Sequence, residues 1–109
     1  MERFEFRIWL DNLQKMFYSY EYGALIPFFS AISPLDTKDV LMQCTGQKDS
    51  DGKLIFEGDI VQVGHLHNRY TIVFKGMGFW YKDYEDDLWV FTAPTYDLKV
   101  IGNIYETAN

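Results

Sequence analysis

Residues 41–63 read LMQCTGQKDSDGKLIFEGDIVQV, and this stretch decides the fold. Its apolar runs cover residues 41–45, 54–56 and 60–63. The first two runs are separated by a turn cluster at 49–52 (DSDG), whose Gly52 supplies the positive φ that a tight turn needs. A second corner at 57–59 (EGD) precedes the third run. The stretch therefore predicts three short β-strands joined by tight turns.

The whole chain has the size and composition of one domain, 1–109. Its 109 residues are 48% hydrophobic and 18% aromatic, which is enough side-chain volume to bury a core without a metal or a disulfide. Cys44 is the single cysteine, so the chain has neither an internal disulfide nor a cysteine pair for zinc, as expected in a reducing compartment. The longest apolar stretch, 24–32, contains a proline and is too short to span a bilayer. We therefore expect a cytoplasmic protein.

The formal net charge of the chain is -6. This charge repels phosphate backbones at long range. We therefore expect no nonspecific binding of duplex DNA.

The N-terminal segment predicts a β-hairpin at residues 4–20. Apolar and charged residues alternate from Phe4 to Leu10, which predicts a half-buried strand with Arg7 on its polar face. Residues 11–14 form a polar turn, and residues 15–20 return as a second strand.

An irregular apolar connection follows at 21–39. Gly23, Pro27 and Pro34 interrupt any regular element there. The segment either covers the core as a lid or forms an interface with a partner. In the second case Phe28 and Phe29 are the candidate anchors of an interface between copies, so we expect a homo-oligomer.

The second half of the chain predicts further short strands. They cover residues 70–75, 79–82, 88–91 and 100–105, with a glycine turn at 76–78 and an acidic loop at 83–87. Helical periodicity is not sustained anywhere. The prediction is an all-β fold, with a small bent sheet or SH3-like barrel at 40–106 and the N-terminal hairpin added to it. These strands are apolar on both faces, so we expect the hairpin, the 21–39 segment or another subunit to cover the second face.

Two motifs resemble the YopX family of small proteins encoded by phages and prophages. They are TGQKDSDGKLIFEGDIV at 45–61 and VIGNIYE at 100–106, and the Lys15-Met16 pair in the hairpin is a weaker third similarity. The resemblance implies a location inside a bacterial host cell. It implies no catalytic activity, cofactor or partner.

Two sets of residues could suggest a metal site, and neither has the required pattern. The acids around Gly52 resemble a calcium loop, but with Gly52 as the loop glycine the twelfth position is Gly58, and Glu57 falls one position short. His65 and His67 supply only two metal ligands, and nothing nearby activates Cys44 as a nucleophile. We expect no catalytic residues, no metal and no cofactor.

An aromatic cluster is the candidate binding site. Its side chains suit either a protein-binding groove or a platform on which bases of single-stranded nucleic acid stack. The candidate binding residues are Trp80, Tyr84 and Trp89, flanked by Arg69, Lys75 and Lys82. Phe79 and Tyr81 alternate like core residues, and the acidic loop 83–87 would repel phosphates. The sequence thus favours non-enzymatic binding to protein, with a single-strand nucleic-acid accessory role as the alternative and a metal-dependent hydrolase using His65 or His67 as the least favoured.

Overall fold

The computed structural model describes residues 5–22, 38–64, 68–91 and 97–106. Within these ranges every regular element is a β-strand except one short 3-10 helix, Ser19–Tyr22. The strands are β1 Phe6–Leu10, β2 Lys15–Tyr18, β3 Val40–Lys48, β4 Leu54–Phe56, β5 Asp59–Val63, β6 Asn68–Lys75, β7 Gly78–Lys82, β8 Leu88–Val90 and β9 Leu98–Asn103. The predicted all-β class is confirmed.

The strands form two antiparallel sheets. One has four strands in the order β2-β1-β3-β4, and the other is a curled sheet of five in the order β8-β7-β6-β5-β9. The predicted N-terminal hairpin is β1 and β2, and β3 extends its sheet on the far side of β1. The second hairpin strand ends at Tyr18 rather than Tyr20, because the 3-10 helix begins there. The closing strand begins at Leu98, two residues before the predicted start.

The main core lies inside the curl of the five-stranded sheet. Its buried side chains are Ile55, Val61, Ile72, Leu98 and Val100. Phe79 and Tyr81 pack against this cluster, as their alternation predicts. Ile55 comes from β4, so the four-stranded sheet contributes to the same core.

The turn between β3 and β4 lies along the outer edge of β9. The Ser50 amide donates to the Leu98 carbonyl oxygen over 2.8 Å, and the Val100 amide donates to Asp49 Oδ2 over 2.9 Å. Asp49 Oδ1 also accepts from the amides of Asp51 and Lys53, each over 2.9 Å. Partial burial would raise the pKa of Asp49, but these three amide donors outweigh it and hold the pKa below the ordinary value. The carboxylate thus caps backbone donors, as the turn prediction requires.

The first strand differs from its prediction in one respect. The sequence predicts Arg7 on a solvent-exposed polar face, whereas the structure buries Arg7, Ile8 and Trp9 in succession. Both faces of β1 are covered because the hairpin packs against the corner between β4 and β5. Trp9 additionally stacks on Tyr105, which follows β9, with ring centroids 5.8 Å apart.

Candidate binding surfaces

A buried ion pair fixes the hairpin against the curled sheet. Arg7 Nη1 lies 2.8 Å from Asp59 Oδ1, and both side chains are only 2% exposed. Arg7 Nη2 donates to the Glu57 carbonyl oxygen over 2.9 Å, and the Phe56 ring lies 4.9 Å from the guanidinium carbon. Burial raises the pKa of Asp59, while Arg7 and the Phe56 amide oppose that rise. Among the described residues no buried side-chain nitrogen or oxygen lacks a partner, so this charged pair acts as a structural link.

A small cleft lies beside this link. It has a volume of about 180 Å³ and is lined by Met42, Gly58, Thr71, Val73, Lys82 and Tyr105, among others. Pockets that hold small organic ligands span roughly 300–1,000 Å³. The cleft is therefore too small to favour an enzyme substrate site.

The structure separates the two candidate tryptophans. Trp80 pairs with Val90 across β7 and β8, whereas Trp89 pairs with Tyr81. Paired residues of antiparallel strands point to the same face, and consecutive residues point to opposite faces. Trp89 therefore shares the inner face with Tyr81, at the edge of the sheet, while Trp80 lies on the outer face.

Strand β8 and the acidic loop before it carry the most exposed aromatic side chains of this region. Tyr84 is 90% exposed and Trp89 is 57% exposed. The Trp89 indole donates to Asp83 Oδ2 over 3.0 Å, and Asp83 Oδ1 accepts from the amides of Glu85 and Asp87. The Trp89 hydrogen bond, followed by these amide bonds, lowers the pKa of Asp83. Asp83 thus orders the loop and orients the Trp89 ring.

The backbone of β8 has one free side within the described part of the chain. The Phe91 amide bonds to the Phe79 carbonyl, and the Asp83 amide bonds to the Asp87 carbonyl. Hydrogen-bonded and non-bonded pairs alternate along an antiparallel ladder. Leu88 and Val90 therefore direct their amide and carbonyl groups away from β7, where no described strand pairs with them.

Trp80 is anchored by its own strand hairpin. Its indole donates to the Lys75 carbonyl oxygen over 3.0 Å, and its ring is half-buried. The register places Arg69, Lys75 and Lys82, the predicted flanking cations, on the same outer face. Sequence patterns did not assign Val90, which lies beside Trp80, or Lys99, because only the strand register brings them to this site.

The remaining candidate residues of the sequence analysis either lie outside the described residues or pack within the sheets. Phe28, Phe29, His65 and His67 are not among the described residues, so the predicted interface and the histidine hypothesis stay predictions. Cys44 is half-buried in β3 and pairs with Phe56. Within ranges 5–22, 38–64, 68–91 and 97–106, no three His, Cys, Asp or Glu side chains are placed to hold a metal ion. No helix in those ranges is both long and apolar enough to traverse a bilayer.

These features define a two-sheet, all-β domain with an exposed aromatic edge. The model of the YopX protein family matches residues 25–109, and the chain belongs to this family. The match begins after the N-terminal hairpin, although Arg7 in that hairpin forms the buried pair with Asp59.

One solved structure supports the fold over nearly the whole chain. The crystal structure of protein EF1440 from Enterococcus faecalis is similar with a TM-score of 0.64 and 18% sequence identity. The alignment covers 97% of this chain and 96% of that chain. At this identity the likeness concerns the fold alone. No curated protein matches the sequence.

Proposed function

We propose that this domain acts without catalysis by binding a protein, and that β8 with the acidic loop 83–87 forms the binding edge. The observation that carries the proposal is the exposure of Tyr84 and Trp89 at strand β8 and the loop before it. The edge of β8 that faces away from β7 has no described strand paired with it. Aromatic side chains are enriched in the cores of protein interfaces. Burying two such rings against a partner protein is more favourable than leaving them exposed to water.

The mode of binding follows from the backbone of β8. The outward amide and carbonyl groups of Leu88 and Val90 match the pattern that an added antiparallel or parallel strand requires. Main-chain hydrogen bonds would give affinity, while Tyr84 and Trp89 would select apolar side chains of the added segment. The partner is therefore an extended protein segment.

The charge of the 83–87 loop indicates which side chains the partner segment carries. Glu85, Asp86 and Asp87 are all exposed, and the one ion pair that the described residues show for them is a long contact of 3.6 Å from Asp86 to Lys82. Such a surface attracts Lys and Arg and repels phosphate. We infer a segment that combines apolar and basic side chains.

The test compares two variants in a pull-down from bacterial lysate, with mass spectrometry of the retained proteins. The edge variant Tyr84→Ser/Val90→Pro removes the exposed ring and the outward amide, and proline is tolerated on an edge strand at a position that faces away from the ladder. The matched control Leu13→Ser/Val90→Thr removes an exposed apolar side chain elsewhere and keeps the amide. Circular dichroism checks that both variants fold.

We expect the wild type and the control to retain the same partner, and the edge variant to release it. On addition of that partner, hydrogen exchange at the Leu88 and Val90 amides should slow in the wild type. Equal retention by all three proteins, or no retained partner at micromolar concentration, would reject the binding edge.

A further inference from the structure

We propose a second binding surface on the outer face of the five-stranded sheet, and we infer single-stranded nucleic acid as its ligand. This surface is separate from the β8 edge, since Trp80 and Trp89 lie on opposite faces. We call it the outer face. It comprises the outward side chains of β5 to β9 around Trp80.

The strand register collects basic side chains on the outer face. Arg69 pairs with Gln62, which pairs with Lys99, so these three form one row across β6, β5 and β9. Lys82 pairs with Thr71, and Lys75 lies at the end of β6 beside Gly78. The core side chains Ile72 and Val61 point to the inner face from the same strands. Four of the ten basic side chains in the protein thus share one side of one sheet.

No acidic residue occupies an outward position on the described strands of this sheet. Acids from other parts of the chain lie near it, since Asp51 approaches Lys99 at 3.8 Å, Asp86 approaches Lys82 at 3.6 Å, and Glu57 lines the cleft that Thr71 and Lys82 also line. Exposed ion pairs of this length contribute little to stability, so these two lysines remain able to bind another anion. Arg69 and Lys75 are exposed as well. The outward side chains of the described strands of this sheet therefore carry four cations and no carboxylate, although the whole chain carries a charge of -6.

Local charge decides binding at short range. At physiological salt the screening length is about 8 Å, so acids on the opposite side of the domain are largely screened. Spacings of about 3.3 Å per residue and about 4.8 Å per strand place Arg69 about 10 Å from Lys99 and about 20 Å from Lys75. A flexible backbone of several nucleotides can reach cations over this span.

Trp80 distinguishes nucleic acid from other polyanions. Its ring lies between Val73 on β6 and Val90 on β8, and its indole nitrogen is held by the Lys75 carbonyl. An anchored aromatic ring inside a basic surface allows a base to stack while phosphates bind the cations. A duplex keeps its bases stacked on each other, so the ligand is single-stranded.

The test uses fluorescein-labelled oligothymidine of about a dozen nucleotides and the full chain, measured by anisotropy at several salt concentrations. The outer-face variant is Arg69→Glu/Lys99→Glu. The matched control is Lys15→Glu/Lys38→Glu, which makes the same change of net charge at exposed lysines outside this sheet. We expect the outer-face variant to bind at least about tenfold more weakly and the control to change little. The slope of log K against log salt should become shallower by about 0.7 for each phosphate that the variant no longer neutralises.

Tryptophan emission provides a second readout that does not depend on the charge variants. The chain has three tryptophans, so oligothymidine should quench the wild type and Trp89→Phe, but much less Trp80→Phe. The proposal would be overturned if the wild type does not bind at low salt, or if the control is weakened as much as the outer-face variant. It would also be overturned if duplex binds as tightly as single strand, or if quenching survives Trp80→Phe. Competition by polyglutamate at equal charge concentration would also overturn it in favour of an acidic protein ligand. The single variant Tyr84→Ser, which removes the exposed ring of the β8 edge and leaves Val90 beside Trp80 unchanged, should bind oligothymidine normally, so the two proposals can fail separately.

Discussion

Arg7 on β1 and Asp59 at the start of β5 form an ion pair of 2.8 Å in which both side chains are 2% exposed. This pair joins the N-terminal hairpin to the curled sheet. The same guanidinium also donates to the Glu57 carbonyl and lies against the Phe56 ring. One side chain of the hairpin therefore contacts three parts of the β4–β5 corner.

The first prediction concerns this pair. Arg7→Met should destabilise the protein by about 3–5 kcal/mol, because it leaves the Asp59 carboxylate buried without its charged partner. The double variant Arg7→Met/Asp59→Asn should cost clearly less than the sum of the two single variants, since no buried charge remains. Urea denaturation of the four proteins measures the coupling. Additive costs would show that the two side chains do not stabilise each other.

The second prediction compares two glycines with similar backbones. Gly52 and Gly58 have φ angles of +83° and +90°, so a side chain at either position is strained. We expect Gly52→Val and Gly58→Val each to destabilise by on the order of 1–3 kcal/mol. The Gly58 variant should be the less stable of the two, because an added Cβ would lie 3.1 Å from Met42 Sδ, whereas no atom of the described residues lies within 4 Å at Gly52. Denaturation midpoints that match the wild type, or that coincide in the two variants, would contradict this account.

Much of the fold follows from local sequence patterns. Gly52 and Gly58 are turn residues that can be recognised from the sequence, and the alternation of Phe79 and Tyr81 indicates their inner face correctly. These features depend on a few neighbouring residues. The acidic turn also acts as expected, since Asp49 caps amides from its own turn and from β9.

The binding surfaces depend on long-range pairings that no local pattern contains. The burial of Arg7 requires Asp59, which lies far along the chain. Trp80 and Trp89 look like one cluster in composition, but the register across the 83–87 loop sends them to opposite faces. Lys99 reaches the row of Arg69 only through β5. Register between distant strands, rather than composition, sets both candidate surfaces.

The third prediction concerns Phe28 and Phe29, whose proposed role rests on the sequence. If they anchor an interface between copies, Phe28→Ser/Phe29→Ser should convert an oligomer into a folded monomer. Light scattering measures the mass, and circular dichroism measures the fold. The control Leu13→Ser/Met77→Ser, at two exposed turn positions, should keep the mass of the wild type. A monomeric wild type at high micromolar concentration, or a double variant that unfolds, would remove the interface.

The last prediction concerns the pH dependence of stability at Asp49. Burial alone would raise the pKa of this carboxyl, but the Val100, Lys53 and Asp51 amides outweigh it, so the folded pKa lies below the ordinary value of 3.8. A group with a lowered folded pKa contributes stability that is present above the unfolded pKa and is lost as pH falls through the folded pKa. The contribution of Asp49 should therefore be complete near neutral pH and should disappear in acid below pH 3.8.

Asp49→Asn tests this contribution. The side-chain oxygen of the asparagine can replace Oδ1 as an acceptor. Its NH₂ group, however, would face the backbone amide of Val100, so the hydrogen bond between the turn and β9 is lost. We expect a destabilisation of about 1–3 kcal/mol at neutral pH that narrows as the pH falls from 3.8 toward the lower folded pKa of Asp49. Asp83→Asn is the control, since Asp83 also has a lowered pKa but lies in the exposed loop, where it bonds to the amides of that loop and to the nearby Trp89 indole. Urea denaturation between pH 7 and pH 3 should show a weaker acid dependence for Asp49→Asn than for the wild type. A parallel pH dependence in the two proteins would mean that the Asp49 carboxylate does not hold the β3–β4 turn against β9.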